Sequence, residues 1–267
     1  MNPTPENLLE HTDSGMPWPS APSALPGFGL DQAYALALRV RALRIARGES
    51  PQGYKVGFTN RGIWARYQVF EPIWGTVWDS TVEHCDGLGR LSLDRLCQPR
   101  IEPEAVFGLR EAPPRDADLD QLWACLDWVA PGFEIVQSHL PDWKFQVTDT
   151  VADSGLHGRL LVGARTPVAA LAPDATRFDA RLAAATVSLS HGDEVVEQGL
   201  GSNVLDGPLR ALWHFVQALA RQPDGPWLRP GDVVTTGTWT DAWPVAPGQT
   251  WRSRCDDALP GLEVRFS

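Results

Sequence analysis

The spacing of apolar residues predicts three helices along the chain. Residues 31–47 carry a wide apolar face, with Asp31 suited to the N-cap and Gly48 at the point where a helix would stop. In residues 118–129 the apolar side chains fall at positions i, i+3, i+4 and i+7, and residues 208–221 follow a similar spacing after a proline at the first helical position. Each segment is expected to pack one face against a core.

Most other apolar segments are typical of short strands. Residues 185–189 and 194–198 flank a glycine-containing turn, which is the pattern of a hairpin. The run 233–238 is rich in β-branched residues, and apolar and polar residues alternate over 262–266. Because these strands lie together in the second half of the chain with few helices among them, the pattern predicts an α+β, mostly β fold rather than repeated βαβ units.

Composition narrows the possible partners. The chain has 267 residues, of which 43% are hydrophobic, so it can bury a core. Its net charge of −10 disfavours sequence-independent binding to nucleic acid, which depends on a basic surface. No apolar run approaches the roughly 20 residues of a membrane span, and residues 1–27, rich in Pro, Ser and Glu, resemble a flexible arm rather than a signal peptide. We therefore expect a cytoplasmic protein that binds neither nucleic acid nor a membrane.

Lysine is rare in this chain. Of its 23 basic residues, Lys55 and Lys144 are the two lysines, and the others are arginines. A lysine can lose its proton when its surroundings lower its pKa, whereas an arginine effectively cannot. The two lysines are therefore candidates for proton transfer. The alternative is that they remain in the sequence by chance.

Three glutamates lie in segments that are otherwise apolar. Glu102 and Glu104 are two residues apart, so on an extended strand both carboxylates point to one face. They would repel each other unless a cation lay between them, and an all-oxygen ligand set suits Mg²⁺ or Mn²⁺. Two solvated glutamates on an edge strand are the alternative. Glu134 favours the metal site, because a lone carboxylate in an apolar strand is costly unless it is paired or bound to a metal.

A series of short motifs resembles one enzyme superfamily. Each motif is weak alone, but their order along the chain, from about residue 31 to the C-terminus, is specific. The chain resembles the fumarylacetoacetate hydrolase superfamily and, within it, the branch of 2-keto-4-pentenoate hydratases and 4-oxalocrotonate decarboxylases. The motifs are Gly53-Tyr54-Lys55-Val56-Gly57-Phe58-Thr59, Trp74-Gly75, Ile101-Glu102-Pro103-Glu104, Phe133-Glu134-Ile135-Val136, Asp142-Trp143-Lys144, Asp149-Thr150-Val151-Ala152-Asp153, Gly201-Ser202-Asn203-Val204-Leu205-Asp206-Gly207-Pro208, Pro230-Gly231-Asp232-Val233-Val234-Thr235-Thr236-Gly237-Thr238 and Val264-Arg265-Phe266.

This resemblance implies a fold, a domain division and an assembly. The core would be a fumarylacetoacetate-hydrolase-like set of wound, mixed sheets with a smaller N-terminal helical region. Residues 28–90 would cover the site, and residues 91–267 would form the catalytic metal-binding domain. Members of the branch are homo-oligomers, so this chain is expected to be one as well.

The resemblance also assigns roles to individual residues. The residues that match the family's site are the metal ligands Glu102, Glu104 and Glu134, the pocket lysines Lys55 and Lys144, the acid–base carboxylate Asp79, and Thr238, whose strand contacts the substrate carboxylate. His157 departs from the family pattern, since it stands in Ser154-Gly155-Leu156-His157-Gly158, where a run of small residues rich in serine is usual. It is a candidate for a pocket acid–base group that meets the substrate, with a loop histidine as the alternative.

The reaction implied is the addition of water to a 2-hydroxy-2,4-dienoate, which gives a 4-hydroxy-2-oxo acid in the catabolism of aromatic or related compounds. The metal would chelate a 2-keto acid, Lys55 and Asp79 would transfer protons and activate water, and Lys144 would orient the carboxylates or the substrate. Decarboxylation of a 2-oxo dicarboxylate is the main alternative. Hydrolysis of an acylpyruvate is disfavoured, because residues 60–70 lack the His–Glu pair of that branch. A non-enzymatic scaffold is disfavoured by the intact acidic set.

Overall fold

The fold combines helices with two β-sheets. The computed structural model describes residues 3–222, 225–256 and 258–267. The helices are α1 (Pro5–Ser14), α2 (Leu30–Ala46), α3 (Trp64–Tyr67), α4 (Leu119–Cys125), α5 (Val147–Ala152), α6 (Val168–Leu171), α7 (Ala175–Ala184) and α8 (Pro208–Ala220). The strands are β1 (Pro51–Gly57), β2 (Ile73–Trp78), β3 (Val82–His84), β4 (Leu88–Leu91), β5 (Arg100–Leu109), β6 (Leu126–Val136), β7 (His157–Val162), β8 (Thr166–Pro167), β9 (Thr186–His191), β10 (Glu194–Leu200), β11 (Val233–Thr235), β12 (Trp243–Pro244), β13 (Thr250–Cys255) and β14 (Leu262–Phe266).

Both sheets are mixed. The first has the strand order β2-β1-β11-β5-β6-β7-β3, with β12 beside β5 and β8 beside β6. The second has the order β10-β9-β13-β14-β4. Strands β1 and β11, β3 and β7, and β14 and β4 pair in parallel, and the other pairs are antiparallel. The prediction of mixed sheets is therefore confirmed.

One face of the first sheet packs against two different sets of neighbours. Side chains from α2, α4, α7 and α8 pack with the sheet in the largest apolar cluster, which includes Phe107, Phe178 and Phe215. A second cluster joins Ile101 and Phe133 of the first sheet to strands of the second sheet. By the strand period, Ile101, Phe107 and Phe133 lie on one side of the sheet, so this face meets helices along one part of its length and the second sheet along another.

The opposite face of the first sheet, on which Glu104 lies, carries both apolar and charged residues. A small cluster that includes Val106, Ala130 and Leu160 fills one part of this face. Because side chains two residues apart on a strand share a face, Glu104 lies on the same side of β5 as Val106, and Glu134 lies on the same side of β6 as Ala130. This face is therefore apolar near Val106 and Ala130 and acidic near Glu104 and Glu134.

Most predicted elements are confirmed, and two have different boundaries. The helices near residues 31–47 and 208–221, the hairpin and the C-terminal strand are present as α2, α8, β9–β10 and β14. The helix predicted over 118–129 ends at Cys125, because Leu126 is extended and the chain continues directly into β6. The strand predicted over 233–238 pairs only to Thr235, after which Gly237 adopts a φ of 93° and the chain leaves the sheet.

The N-terminal segment differs from the flexible arm that the sequence predicts. Pro5 occupies the first helical position of α1, and the Thr4 hydroxyl accepts a hydrogen bond from the Asn7 amide as a helix cap. Leu8, Leu9 and Trp18 are buried, so apolar packing holds this segment in place.

The predicted boundary at residue 90 falls within shared sheets. Strands β1 and β2 lie in the same sheet as β5 and β6, and β4 lies in the same sheet as β14. The division into a covering region and a catalytic domain remains a prediction. Across the residues that the structure describes, no helix combines the length and the apolar character that crossing a membrane requires.

Candidate active site

Adjacent strands bring the three glutamates together. Glu102 of β5 lies opposite Glu134 of β6 in the antiparallel register, and Glu104 lies two residues further along β5, opposite Gly132. Glu134 is 0% exposed and Glu104 is 4% exposed. The alternative of solvated glutamates on an edge strand is excluded by this burial, since β5 lies between β11 and β6.

Lys55 supplies a positive charge to this acidic cluster. It projects from β1 and is buried, with its Nζ atom 3.9 Å from Glu102 Oε2 and 4.0 Å from Glu134 Oε1. Burial lowers the pKa of Lys55, but the charges of Glu134, Glu102 and Glu104 raise it, and the net direction is upward. Lys55 therefore keeps its proton and stands beside the carboxylates as an ammonium group.

One ammonium group does not balance three carboxylates, of which those of Glu104 and Glu134 are buried and that of Glu102 is partly buried. Burial and repulsion from Glu134 raise the pKa of Glu102 to about 7, against the opposing charge of Lys55. Burial, together with the charges of Glu134 and Glu102, raises the pKa of Glu104 well above its ordinary value. The cluster therefore has an excess of negative charge that a further cation would relieve.

The glutamates differ in how firmly hydrogen bonds hold them. Glu134 Oε1 lies 2.9 Å from His157 Nδ1, and its Oε2 accepts a hydrogen bond of 3.3 Å from the Thr235 hydroxyl. Glu104 Oε2 accepts a hydrogen bond of 2.6 Å from the Gly237 amide. Its Oε1 is buried and has no hydrogen-bond partner within the described ranges. A buried carboxylate oxygen without a partner is costly and suits a bound cation.

The donor set fits a divalent metal in kind. Carboxylate oxygens are the ligands that Mg²⁺ and Mn²⁺ prefer, and the buried Glu104 Oε1 is free to accept one. In the conformation described for residues 3–222, 225–256 and 258–267, however, no group of three or more His, Cys, Asp or Glu side chains is arranged to hold a metal ion. Lys55 stands close to two of the glutamates instead. The residues thus supply suitable ligands, and their side chains do not yet form a coordination shell.

A cavity of about 670 Å³ opens above this cluster. Lys55 and Glu102 lie in its lining. Aromatic side chains form much of its wall: Tyr67 stacks on Phe145 with ring centroids 5.9 Å apart, and Phe145 contacts Trp143 at 6.0 Å. The cavity therefore joins a charged floor to a flat, apolar wall, and with a cation bound at the floor this combination suits a small anion with a planar chain.

Arg100 lies in the lining of the same cavity. Its guanidinium group lies 4.4 Å from the centre of the Trp143 ring, and a long hydrogen bond of 3.5 Å runs to the Ala242 carbonyl. It forms no ion pair with any carboxylate that the structure describes. Asp142 and Trp143 both have a φ of 58°, which is unusual for residues other than glycine and often marks a functional site.

The predicted substrate contact at Thr238 lies at the cavity. Thr238 lines it and donates a hydrogen bond of 2.9 Å to the Thr240 carbonyl. Just before it, Gly237 has a positive φ, and a Cβ atom there would collide with the Thr59 hydroxyl. Glycine is therefore needed where the chain bends and directs its amide at Glu104.

Three other predicted site residues lie elsewhere than expected. Asp79 is exposed beyond the end of β2, where it accepts a hydrogen bond from the Ser50 amide, because the register of β1 and β2 puts Gly75 rather than Asp79 beside Lys55. The Lys144 side chain is 80% exposed and pairs with Asp142. His157 lies behind Glu134 rather than in the cavity lining. Neither Asp79 nor Lys144 is brought to the acidic cluster.

Sequence reasoning missed three residues that support the site. Arg100 could have been found, because it lies two residues before Glu102 and so shares its strand face. Thr235 stands in a motif that was recognised, but nothing local indicates that its hydroxyl reaches Glu134. Thr81, which lies 2.7 Å from His157 Nε2, carries no local signal at all, since it is 76 residues away in sequence.

Comparisons with known proteins agree with this geometry. No family model matches the chain. A curated 2-hydroxyhexa-2,4-dienoate hydratase from Comamonas testosteroni is 32% identical over 239 residues, which cover 89% of this chain and 85% of the relative. A 4-oxalocrotonate decarboxylase from Pseudomonas sp. strain CF600 is 30% identical over 93% of this chain and 89% of the relative.

A solved structure extends the agreement to the whole fold. The 4-oxalocrotonate decarboxylase of Pseudomonas putida G7, complexed with magnesium and adipate, superposes with a TM-score of 0.85 at 26% identity. The match covers 100% of this chain and 99% of that one. The prediction of a fumarylacetoacetate-hydrolase-like fold is confirmed. The chain belongs to the 2-keto-4-pentenoate hydratase and 4-oxalocrotonate decarboxylase branch of the fumarylacetoacetate hydrolase superfamily.

Proposed function

We propose that this protein is a divalent-metal-dependent hydratase that adds water to a 2-hydroxy-2,4-dienoate and forms a 4-hydroxy-2-oxo acid. The observation that carries the proposal is the convergence of Lys55 with three glutamates on paired strands, where Lys55 and Glu102 line a cavity and Glu104 and Glu134 are buried beside them. The hydratase names among relatives that cover most of the chain add support.

The carboxylates of Glu102, Glu104 and Glu134 would hold Mg²⁺ or Mn²⁺. The excess negative charge of the floor and the unpartnered Glu104 Oε1 support this assignment. When bound, such an ion supplies Lewis-acid stabilisation of the enolate form of a 2-oxo acid. A related decarboxylase carries magnesium in its solved structure.

Lys55 is the group that we assign to proton transfer. Its ammonium lies at the cavity floor beside the carboxylates, within reach of a substrate that enters the cavity. Conversion of the dienoate to the 4-hydroxy-2-oxo acid delivers protons to two substrate carbons, C3 and C5, and removes one proton from the 2-hydroxyl group and one from the added water. Asp79 was expected to share this work, but its exposed position beside Ser50 gives no support to that role.

The walls of the cavity would orient the substrate. The aromatic side chains of Tyr67, Trp143 and Phe145 offer flat apolar surfaces to a conjugated chain and exclude water from it. Thr238 is in the same lining, and its hydroxyl would turn from the Thr240 carbonyl to donate to a substrate oxygen. These contacts would position the dienoate over the floor.

Decarboxylation of a 2-oxo dicarboxylate is the second candidate function. Arg100 favours it, because this cation lines the cavity and forms no ion pair with the described carboxylates. It could therefore take a second carboxylate from the substrate. The related decarboxylase structure holds adipate, which is a dicarboxylate.

Product analysis tests the two functions directly. The purified protein, with Mg²⁺ or Mn²⁺, is given 2-hydroxypenta-2,4-dienoate, its longer homologues and 2-oxohex-3-enedioate. We expect loss of the dienol absorbance and formation of a 4-hydroxy-2-oxo acid, identified by NMR. Release of CO₂ from the dicarboxylate without hydration would move the assignment to a decarboxylase, and no reaction with any of these acids would contradict both.

We further propose that the enzyme is a cytoplasmic homo-oligomer that acts in the breakdown of aromatic or related compounds. The resemblance to the family supports this setting. Light scattering after size-exclusion chromatography tests the assembly, and a monomer over the working range of concentrations would contradict it.

A further inference from the structure

Glu134 stands at the end of a hydrogen-bond chain that begins at a backbone amide. The Val56 amide donates a hydrogen bond of 3.2 Å to the Thr235 hydroxyl, which in turn donates to Glu134 Oε2. Both donors come from neighbouring strands, β1 and β11. One oxygen of Glu134 is therefore fixed by the sheet itself.

A second chain reaches the other oxygen of Glu134 through a histidine. The Trp78 amide donates a hydrogen bond of 3.0 Å to Thr81 Oγ1, which lies 2.7 Å from His157 Nε2. His157 Nδ1 lies 2.9 Å from Glu134 Oε1. A carboxylate accepts hydrogen bonds, so Nδ1 carries the proton. In the neutral ring Nε2 then accepts from the Thr81 hydroxyl at 2.7 Å, since the other acceptor of that hydroxyl, the Trp78 carbonyl, lies further away at 3.2 Å.

The histidine is held as firmly as the glutamate. The side chain of His157 is 1% exposed, and its backbone begins β7, opposite Val136 of β6. Both ring nitrogens have partners, which fixes the orientation of the ring. Glu104, in contrast, has one bonded oxygen, and Glu102 meets Lys55 only at 3.9 Å.

We infer that His157 is a positioning residue that fixes Glu134 as a metal ligand, with Thr81 fixing His157 in turn. Each oxygen of Glu134 accepts one of the two hydrogen bonds and keeps a lone pair for a cation. Hydrogen bonds to a ligating carboxylate orient it and strengthen metal binding. This inference rests on the proposed metal site, and it replaces the expected contact of His157 with the substrate.

Metal affinity tests the inference without any substrate. The Kd for Mn²⁺ is measured from the electron paramagnetic resonance signal of the free ion, for the wild type, His157→Ala and His157→Asn. We expect His157→Ala to weaken Mn²⁺ binding by about 10- to 100-fold. His157→Asn should recover most of this loss, because the asparagine amide nitrogen stands the same number of bonds from Cα as Nδ1 and can donate to Glu134.

His139 provides the matched control. It is another buried histidine whose Nδ1 lies 2.7 Å from a carboxylate, that of Asp153, but it does not line the cavity or contact a predicted metal ligand. His139→Ala should lower the melting temperature and leave the Mn²⁺ affinity unchanged. An equal loss of affinity in His139→Ala would mean that any buried histidine has this effect, and it would overturn the inference.

The remaining outcomes are equally decisive. Binding by His157→Ala within about twofold of the wild type would overturn the inference, and so would an asparagine variant as weak as the alanine variant. If His157→Ala does not fold, Thr81→Val provides the test, since it keeps the histidine ring and removes its hydrogen bond to Thr81. We expect Thr81→Val to weaken Mn²⁺ binding by about two- to tenfold. An unchanged Mn²⁺ affinity in this variant would contradict the inference. Absence of Mn²⁺ binding by the wild type would overturn both this inference and the proposed function, whereas a lack of turnover with Mn²⁺ still bound would contradict the proposed function alone.

Discussion

The cavity floor and the cavity mouth are built in different ways. We define the floor as Lys55 and Glu102, which line the cavity, together with the adjacent Glu104 and Glu134, and the mouth as Tyr67, Arg100, Trp143 and Phe145. The floor lies on paired strands, and register fixes which side chains meet. At the mouth, Arg100 is the first residue of β5, whereas Trp143 belongs to a short turn with two residues of positive φ and Tyr67 ends a single-turn helix.

This difference separates chemistry from substrate choice. Strand register cannot change gradually, because a shift by one residue turns every side chain to the opposite face. The loops at the mouth can change length and side chain without disturbing the sheet. Relatives named as hydratases and as decarboxylases match this chain at similar identity. A shared floor with variable mouths would explain why both reactions occur in one family.

The largest effect is expected from the floor. Lys55→Ala should lower kcat by about 10²- to 10⁴-fold, since proton transfer by a positioned group contributes that much. Mn²⁺ binding should survive, because the substitution removes a positive charge that stands 3.9 and 4.0 Å from two ligand oxygens. Steady-state kinetics and Mn²⁺ titration measure the two effects.

Lys144 offers the matched control for that experiment. Its ammonium is largely exposed and pairs with Asp142, so Lys144→Ala should keep kcat close to that of the wild type. A large loss in Lys144→Ala would restore the role that the family resemblance implies. Unchanged kcat in Lys55→Ala would remove Lys55 from the mechanism.

At the mouth, the effect should appear in substrate binding. Arg100→Met should raise KM by about 10- to 100-fold if the guanidinium binds a substrate carboxylate, because hydrogen bonds to charged groups contribute about 1.5 to 3 kcal/mol. Mn²⁺ affinity should change little. Arg100→Lys keeps the charge without the planar fork and should recover part of the loss. A fall in kcat at constant KM would instead link Arg100 to the floor.

The acidic floor predicts a pH effect on stability in the metal-free protein. The pKa of Glu102 rises from 4.5 to about 7 on folding, so the unfolded chain releases this proton first as the pH increases. The contribution of Glu102 to stability is present below about pH 4.5 and is lost as the pH rises through about 7. Glu102→Gln, which stays neutral, should therefore melt higher than the wild type at pH 8, by an amount on the order of 5 °C, and at the same temperature near pH 4.

Addition of Mn²⁺ at pH 8 should reverse that order. The wild type would gain stability from the bound cation, and Glu102→Gln would gain less because it lacks one charged ligand. Differential scanning calorimetry with chelator and with Mn²⁺ measures both conditions. Equal melting temperatures of the two proteins at pH 8 without metal would contradict the charge excess of the floor.

The sequence predicts the floor better than the mouth for a physical reason. Glu102 and Glu104 share a face because of the strand period, which is visible in the sequence, and Glu134 stands out in an apolar strand. Helix α8 is predicted by its own spacing of apolar residues. These signals are local, and tertiary packing agrees with them.

The missed features depend on contacts between distant residues. Thr235 and Glu134 are 101 residues apart, and Thr81 and His157 are 76 apart, so nothing in either neighbourhood reveals the contact. Helix α4 stops early because β6 begins to pair with β5, which overrides the helical spacing. The buried α1 depends on tertiary packing that its composition does not reveal.

The smallest expected effect concerns the support of the mouth. The Gln98 side chain donates hydrogen bonds of 2.8 Å to the Ser138 and Leu140 carbonyls and accepts one of 2.9 Å from the Asp142 amide. Gln98→Ala removes all three bonds, including the one to the Asp142 amide of the turn that carries Trp143. We expect the loosened turn to raise KM by about two- to tenfold, which corresponds to the loss of about one hydrogen bond's free energy in substrate binding. Because this turn does not contact the floor glutamates, the Mn²⁺ affinity should stay unchanged.

Gln121 is the matched glutamine for this test. It also bonds to a backbone amide through its side chain, that of Asp118 at the start of α4, but it does not line the cavity. Gln121→Ala should leave KM at the wild-type value. A parallel loss of Mn²⁺ affinity in Gln98→Ala would show that mouth and floor are coupled. The separation of chemistry from substrate choice would then fail, because loops could not vary at the mouth without changing the metal site.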